Sequence, residues 1–146
     1  MASVSVLPLS ERVMAGLHRE ALALAAQSDA YFAGDGTSER RDLPARARLL
    51  LAGEALKAGT RLMQVLAWAA PRSAASAPRQ EEPAIRPLSD APQSDLAAFG
   101  ALPARARDLI LAGIDLHQRA GRIAYGTPAA SPSGGPKGIF SLERVR

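Results

Sequence analysis

The chain of 146 residues contains no cysteine, which excludes a disulfide framework, a thiolate nucleophile and a thiolate metal site. Aromatic residues make up only 4% of the sequence, and histidine occurs twice, as His18 and His117. Neither histidine has a second ligand at metal-binding spacing on its predicted helix. No segment approaches the roughly 18 consecutive apolar residues that span a bilayer, and no secretory signal is recognisable. We therefore expect a cytoplasmic protein without a metal, a cofactor or a membrane contact.

Lysine is also scarce, since only Lys57 and Lys137 occur and arginine carries almost all of the positive charge. The net charge is +4 and the isoelectric point is about 10.3. The cations do not form a dense run interleaved with aromatic residues, which is the pattern of many nucleic-acid-binding surfaces. Nucleic-acid binding is therefore disfavoured. A basic helical DNA-associated protein remains the alternative interpretation.

Apolar residues make up 47% of the chain, many of them are alanine, and their spacing predicts three long helices. The first runs from Ser10 to Ala33, with apolar residues at alternating spacings of three and four. The sequence Gly34-Asp35-Gly36 is expected to stop it, because glycine accepts the left-handed conformation common at helix ends. The third runs from Pro103 to Ala124 and carries small and large residues in alternation, which is expected to let two helix backbones approach closely. Its Asp115 and Arg119 are expected to pair across one turn.

The second predicted helix runs from Pro44 to Ala70. Its apolar arc spans about 200°, whereas a one-sided surface helix has an arc of roughly 100°. The arc is formed by Leu51, Ala55, Leu56, Leu62, Met63 and Leu66. One neighbour cannot cover such an arc, so this helix is expected to be central and packed against both other helices or a second subunit. The fold class is thus all-α, an elongated three-helix bundle that we expect to form a homodimer.

Two proline-rich stretches interrupt the helical pattern. The first, Pro71 to Ala101, is expected to be a largely irregular linker, and the second is a tail, residues 127–146. The predicted organisation is an N-terminal extension over residues 1–9, the bundle with its linker over residues 10–126, and this disordered tail. The tail contains Ile139, Phe140 and Leu142, which are candidate partner-binding residues at the end of a tether.

The only tryptophan, Trp68, shares one side of the second helix with Arg61, Gln64 and Lys57. A lone tryptophan in a small helical protein is commonly a core residue. A tryptophan among polar side chains also suits a protein-binding surface, where aromatic and arginine residues dominate the binding energy. We name these four residues the stripe and regard them as a candidate partner-binding site, with both interpretations of Trp68 open.

The sequence Thr60-Arg61-Leu62-Met63-Gln64, followed four residues later by Trp68, resembles the signature helix of the RcdA-like proteins. These proteins are the regulators of CtrA degradation in alphaproteobacteria. The first helix of the family ends with aromatic residues followed by Asp-Gly, and this chain has a similar sequence, Tyr31-Phe32-Ala33-Gly34-Asp35-Gly36. In the family, as in this chain, a helix follows Leu102-Pro103. After Trp68 the chain continues Ala69-Ala70-Pro71, where the family is expected to continue with leucines.

The resemblance implies a homodimeric three-helix adaptor that helps deliver cell-cycle regulators to the ClpXP protease. Its partners would be ClpX and substrates or co-adaptors of the response-regulator type. No residue would be catalytic, because such an adaptor acts by raising the concentration of a substrate near the protease. The sequence shows no nucleophile motif, phosphate loop or dinucleotide fingerprint, so we do not expect an enzyme.

Overall fold

The computed structural model describes residues 9–71 and 87–126, and every regular element in these two ranges is helical. The all-α prediction is therefore confirmed for this part of the chain. The four α-helices are α1 (Leu9–Ala30), α2 (Thr37–Asp42), α3 (Ala45–Ala69) and α4 (Ala104–Gly126). A π-helical turn, Tyr31–Asp35, joins α1 to α2, and a 3₁₀ segment, Leu96–Ala101, precedes α4. None of the helices in the described ranges is long and apolar enough to cross a membrane.

The three long helices α1, α3 and α4 each pack against the other two. α3, with 25 residues, is about 37 Å long at a rise of 1.5 Å per residue. The predicted small-and-large alternation of α4 faces the core, since Ala106, Leu109, Gly113, Leu116 and Ala120 are all buried. A Cβ added at Gly113 would meet no atom within 4 Å, so the small residue does not mark a close helix contact at that position.

The end of α1 differs from its prediction. Gly36 has a φ of −78° and no described glycine has a positive φ, so the expected left-handed stop at Gly34-Asp35-Gly36 is wrong. The helix instead widens into the π-helical turn and α2 follows directly. A Cβ at Gly36 would lie 2.7 Å from the Tyr31 ring, so glycine is needed here because the backbone closely approaches an aromatic side chain.

Tyr31 fixes this corner of the molecule. Its hydroxyl donates a hydrogen bond to Glu39 in α2 at 2.5 Å, and the guanidinium of Arg105 lies 5.8 Å from its ring centre. Burial, together with the bond to Glu39, raises the pKa of Tyr31 to about 12. Because Arg105 opens α4 and Tyr31 follows the last residue of α1, these two helices run antiparallel.

The described part of the predicted linker, residues 87–101, is ordered against the helices. Over residues 87–101 the chain packs onto the helices, and Leu88 and Phe99 are each only 3% exposed. Residues 87–95 have no regular secondary structure, and the 3₁₀ segment begins where the Asp95 side chain accepts a hydrogen bond from the Ala97 amide. The rest of the predicted linker and the predicted tail, residues 127–146, lie outside the described residues.

Candidate functional site

The four residues of the stripe lie on one side of α3, but this side is covered. Arg61 is 2% exposed and Trp68 is 5% exposed, while Lys57 and Gln64 are half-buried. The core interpretation of Trp68 is therefore the correct one within a single chain, and an open surface at Arg61 and Trp68 is not present. A role of the stripe in partner binding stays a prediction.

The covering segment is the extended chain of residues 87–95, which we name the strap. It lies in the groove between α3 and α4. Along the strap, Asp90, Pro92 and Ser94 bond successively to Gln64, Arg61 and Glu54. Because the α3 residues fall in number as the strap residues rise, the strap runs antiparallel to α3.

Arg61 holds the middle of the strap. Its Nη2 donates to the Pro92 carbonyl and to the Ser94 hydroxyl, both at 2.6 Å. The Ser94 hydroxyl in turn donates to Glu54 Oε2 at 2.5 Å, so one serine bridges a cation and a carboxylate. Burial lowers the pKa of Arg61, and the charge of Glu54 partly opposes this effect.

Glu54 is the buried carboxylate that accepts the hydrogen bond from Ser94. It is 2% exposed, and its Oε1 forms a salt bridge with Lys57 Nζ at 2.7 Å. A buried carboxylate needs such partners, because an unpaired charge in the protein interior is strongly destabilising. Lys57, Glu54, Ser94 and Arg61 thus form one continuous network that joins α3 to the strap.

The other end of the strap is held mainly by α4. His117 Nε2 lies 3.1 Å from the Ser89 carbonyl, and since a carbonyl only accepts, the Nε2 hydrogen is donated. The Tyr125 hydroxyl donates to the Leu88 carbonyl. Burial is the main effect that lowers the pKa of His117, with a smaller contribution from the charge of Arg61. The hydrogen bond to the Ser89 carbonyl opposes this lowering, because it favours the protonated ring.

Two buried polar atoms of the groove have no hydrogen-bond partner among the described residues, namely Arg61 Nη1 and Gln64 Oε1. Gln64 already donates from Nε2 to the Asp90 carbonyl at 3.0 Å. It also borders an open cleft of about 450 Å³ between α3 and the start of the strap. The cleft is lined by Thr60, Met63, Gln64, Ala67, Trp68, Pro87 and Ser89.

The outward side of α3, away from the core, is apolar, and no segment in the described ranges covers it. Leu49, Leu56 and Met63 are 76%, 75% and 71% exposed, and the exposed small residues Ala52 and Gly59 lie between them. We name these five residues the outer seam. Their alternating spacing of three and four is that of a helix face that packs against another helix. Leu56 and Met63 were expected to be covered as part of the broad apolar arc, and within one chain they are not.

The remaining predicted residues have separate outcomes. Arg119 pairs with Asp115 at 2.8 Å as expected, and it also pairs with Glu20 in α1. No three acidic or histidine side chains in the described ranges are grouped so that they could hold a metal ion. The tail residues Ile139, Phe140 and Leu142 lie outside these ranges.

The strap was not recognised from the sequence. A signal existed in α3, where Glu54 and Arg61 are separated by seven residues and share a face with the core residues Leu51 and Ala58. Two opposite charges on a buried face require polar partners from another segment. These partners are Ser94 and the carbonyl of Pro92. The sequence of the proline-rich stretch did not indicate which of its residues would contact α3.

The described part of the chain is thus an all-α scaffold that holds residues 87–95 in the groove between α3 and α4. The model of one family, described as "Protein of unknown function (DUF1465)", matches residues 8–130. Because the match includes every described helix, the chain belongs to this family. Comparisons with curated proteins and with solved structures gave no match.

Proposed function

We propose that this protein is a non-enzymatic, cytoplasmic adaptor of cell-cycle-linked proteolysis, which assists the delivery of regulatory proteins to the ClpXP protease. The resemblance of residues 60–68 to the RcdA-like signature helix supports the choice of ClpXP and of response-regulator-type substrates or co-adaptors. The observation that carries a protein-binding role is the outer seam, an apolar helix face left uncovered on α3. Contiguous apolar patches on small proteins commonly mark interaction sites.

The proposed adaptor is a homodimer of three-helix bundles that associates through the outer seam. The seam alternates large and small side chains, with Leu49, Leu56 and Met63 separated by Ala52 and Gly59. Large residues of one copy can therefore insert beside small residues of the other, as in knobs-into-holes packing. The exposed charges on α3 do not interrupt this face, because Arg46 and Arg48 lie in its first turns and Lys57 is turned toward Glu54.

Sedimentation of two leucine variants tests the dimer. Leu56→Glu puts a charge in the seam and is expected to give a monomer of 15.3 kDa, whereas the wild type sediments at twice that mass. Leu22→Glu is the matched control, since Leu22 is 50% exposed on α1 away from the seam. A monomeric wild type at micromolar concentration, or a dimeric Leu56→Glu variant, would contradict the proposed interface.

Degradation of a response-regulator-type substrate by purified ClpXP tests the adaptor role. The protein is expected to accelerate degradation and to be captured by ClpX. Replacing Ile139, Phe140 and Leu142 together by alanine is expected to abolish capture by ClpX while leaving helix content unchanged. Unchanged degradation, combined with binding to duplex DNA that weakens steeply with salt, would instead favour the DNA-associated alternative.

A further inference from the structure

Most of the contacts that hold the strap involve its backbone. The carbonyls of Leu88, Ser89, Asp90 and Pro92 accept hydrogen bonds from the side chains of Tyr125, His117, Gln64 and Arg61 respectively. Every amino acid supplies a carbonyl group. These four donors can therefore hold any extended segment of suitable length, and the groove has the properties of a peptide-binding site.

Three side chains of the strap add selectivity. Leu88 is 3% exposed and packs toward Gly121 of α4. Pro92 is half-buried, and the Ser94 hydroxyl bridges Arg61 and Glu54. The residues between them include the exposed Ser89, Asp90 and Gln93. At these positions the strap has the pattern Leu-x-x-x-Pro-x-Ser.

The strap does not use all of the groove. Arg61 Nη1 and Gln64 Oε1 are buried and have no partner among the described residues, and a buried polar atom without a hydrogen bond is destabilising. The cleft beside Gln64 is also open. A different segment that offered an oxygen to Arg61 and an N–H or hydroxyl to Gln64 would satisfy groups that the strap leaves unsatisfied.

We propose that the groove between α3 and α4 is the site that binds the delivered protein, and that the strap occupies it as an internal competitor. The occupant is an extended segment of the partner with the pattern Leu-x-x-x-Pro-x-Ser and a side-chain oxygen for Arg61. Its binding displaces the strap. The biological meaning of this assignment rests on the proposed adaptor function, but binding of a peptide to the groove is measurable without ClpXP.

Fluorescence anisotropy with a labelled synthetic peptide, residues 87–96 of this chain, tests the groove in the full-length protein. The wild type is expected to bind weakly, because the tethered strap competes at a high effective concentration. The Ser94→Ala variant removes the hydroxyl bridge of the strap and should bind the peptide at least tenfold more tightly. Adding Gln64→Ala should weaken this binding at least fivefold, whereas adding Gln118→Ala, an exposed glutamine on α4, should not.

Circular dichroism establishes that each variant remains helical, and Leu88→Ala replaces Ser94→Ala if the latter loses helix content. A folded strap variant that binds no peptide overturns the proposal, as does binding that is indifferent to Gln64→Ala. If ClpX is not captured but the peptide still binds in a Gln64-dependent manner, the adaptor function fails and the groove stands. If ClpX is captured while no variant binds peptide, the groove fails and the adaptor function stands.

Discussion

The solvent exposure of two sides of α3 is the reverse of what their amino-acid composition suggests. The stripe carries Lys57, Arg61 and Gln64, yet it lies under the strap, with Arg61 only 2% exposed. The outer seam carries Leu49, Leu56 and Met63, yet each of these side chains is more than 70% exposed. Polar residues are buried on one side and apolar residues are exposed on the other.

The difference shows that the availability of hydrogen-bonding and packing partners, more than the polarity of the side chains, decides which side of a helix is covered. The strap supplies acceptors for Arg61 and Gln64 and a hydroxyl for Glu54, so burying these groups becomes tolerable. No segment within the described ranges covers the outer seam. We propose that a second copy of the chain covers it.

The largest expected effect concerns the link between the stripe and the strap. Arg61→Ala removes two hydrogen bonds to the strap and the cation nearest to the Ser94–Glu54 pair, and should lower the free energy of unfolding by about 3 kcal/mol. Arg119→Ala, which breaks solvent-exposed salt bridges, should cost less than about 1 kcal/mol. Urea denaturation compares the two variants. Equal losses would show that the strap contributes no more than a surface contact.

A smaller effect on stability is expected from alanine substitutions at two glycines, and the two substitutions should act in opposite directions. Gly36→Ala would place a Cβ 2.7 Å from the Tyr31 ring and should destabilise the fold by about 1–3 kcal/mol. Gly113→Ala meets no atom within 4 Å and should stabilise α4 by about 0.5–1 kcal/mol. Thermal melts of both variants test this. A destabilised Gly113→Ala variant would restore the expectation that α4 uses its small residues for close packing.

The smallest expected effect is a pH dependence of the strap. Because burial lowers the pKa of His117 below the ordinary histidine value of 6.5, the unfolded chain takes up this proton more readily than the folded chain. The free energy of unfolding is then greatest above about pH 7 and falls as the pH drops through the unfolded value. Arg61 and Asp90 face the ring and act in opposite directions on its pKa.

Urea denaturation at several pH values between about 5 and 7.5 checks this dependence. His117→Gln should flatten it, while His18→Gln should leave it as in the wild type. The pKa of Glu20 is lowered mainly by its hydrogen bond to Arg119. The stability that Glu20 contributes is therefore lost only at more acidic pH, below the ordinary glutamate value of 4.5. An unchanged slope in His117→Gln would mean that His117 does not control the strap.

The contrast between the two sides of α3 also separates what the sequence could predict from what it could not. Helical periodicity located α1, α3 and α4 to within a few residues, because local spacing of apolar residues specifies a helix face. It also placed the α4 repeat in the core and paired Asp115 with Arg119. These features depend on residues one or two turns apart.

The strap is held by contacts between residues that are far apart in the chain, and for that reason its position on the helices was not predicted. The contacts of Arg61 with Pro92 and Ser94 span 31 and 33 residues, and the bond from Ser94 to Glu54 spans 40. No local pattern encodes such pairings. The π-helical turn was also missed, although Tyr31 and Gly36 are only five residues apart, because the close approach of the ring to the backbone is not part of the apolar spacing that predicts a helix.

Thiol labelling of single-cysteine variants tests the contrast between the two sides most directly, because the natural chain has no cysteine. Leu56→Cys reports on the outer seam and Gln64→Cys on the strap-covered side. Labelling of Leu56→Cys should slow as the protein concentration rises, because a second copy covers the seam, whereas Gln64→Cys should label at one slow rate throughout. A rate for Leu56→Cys that stays fast at every concentration would contradict the account.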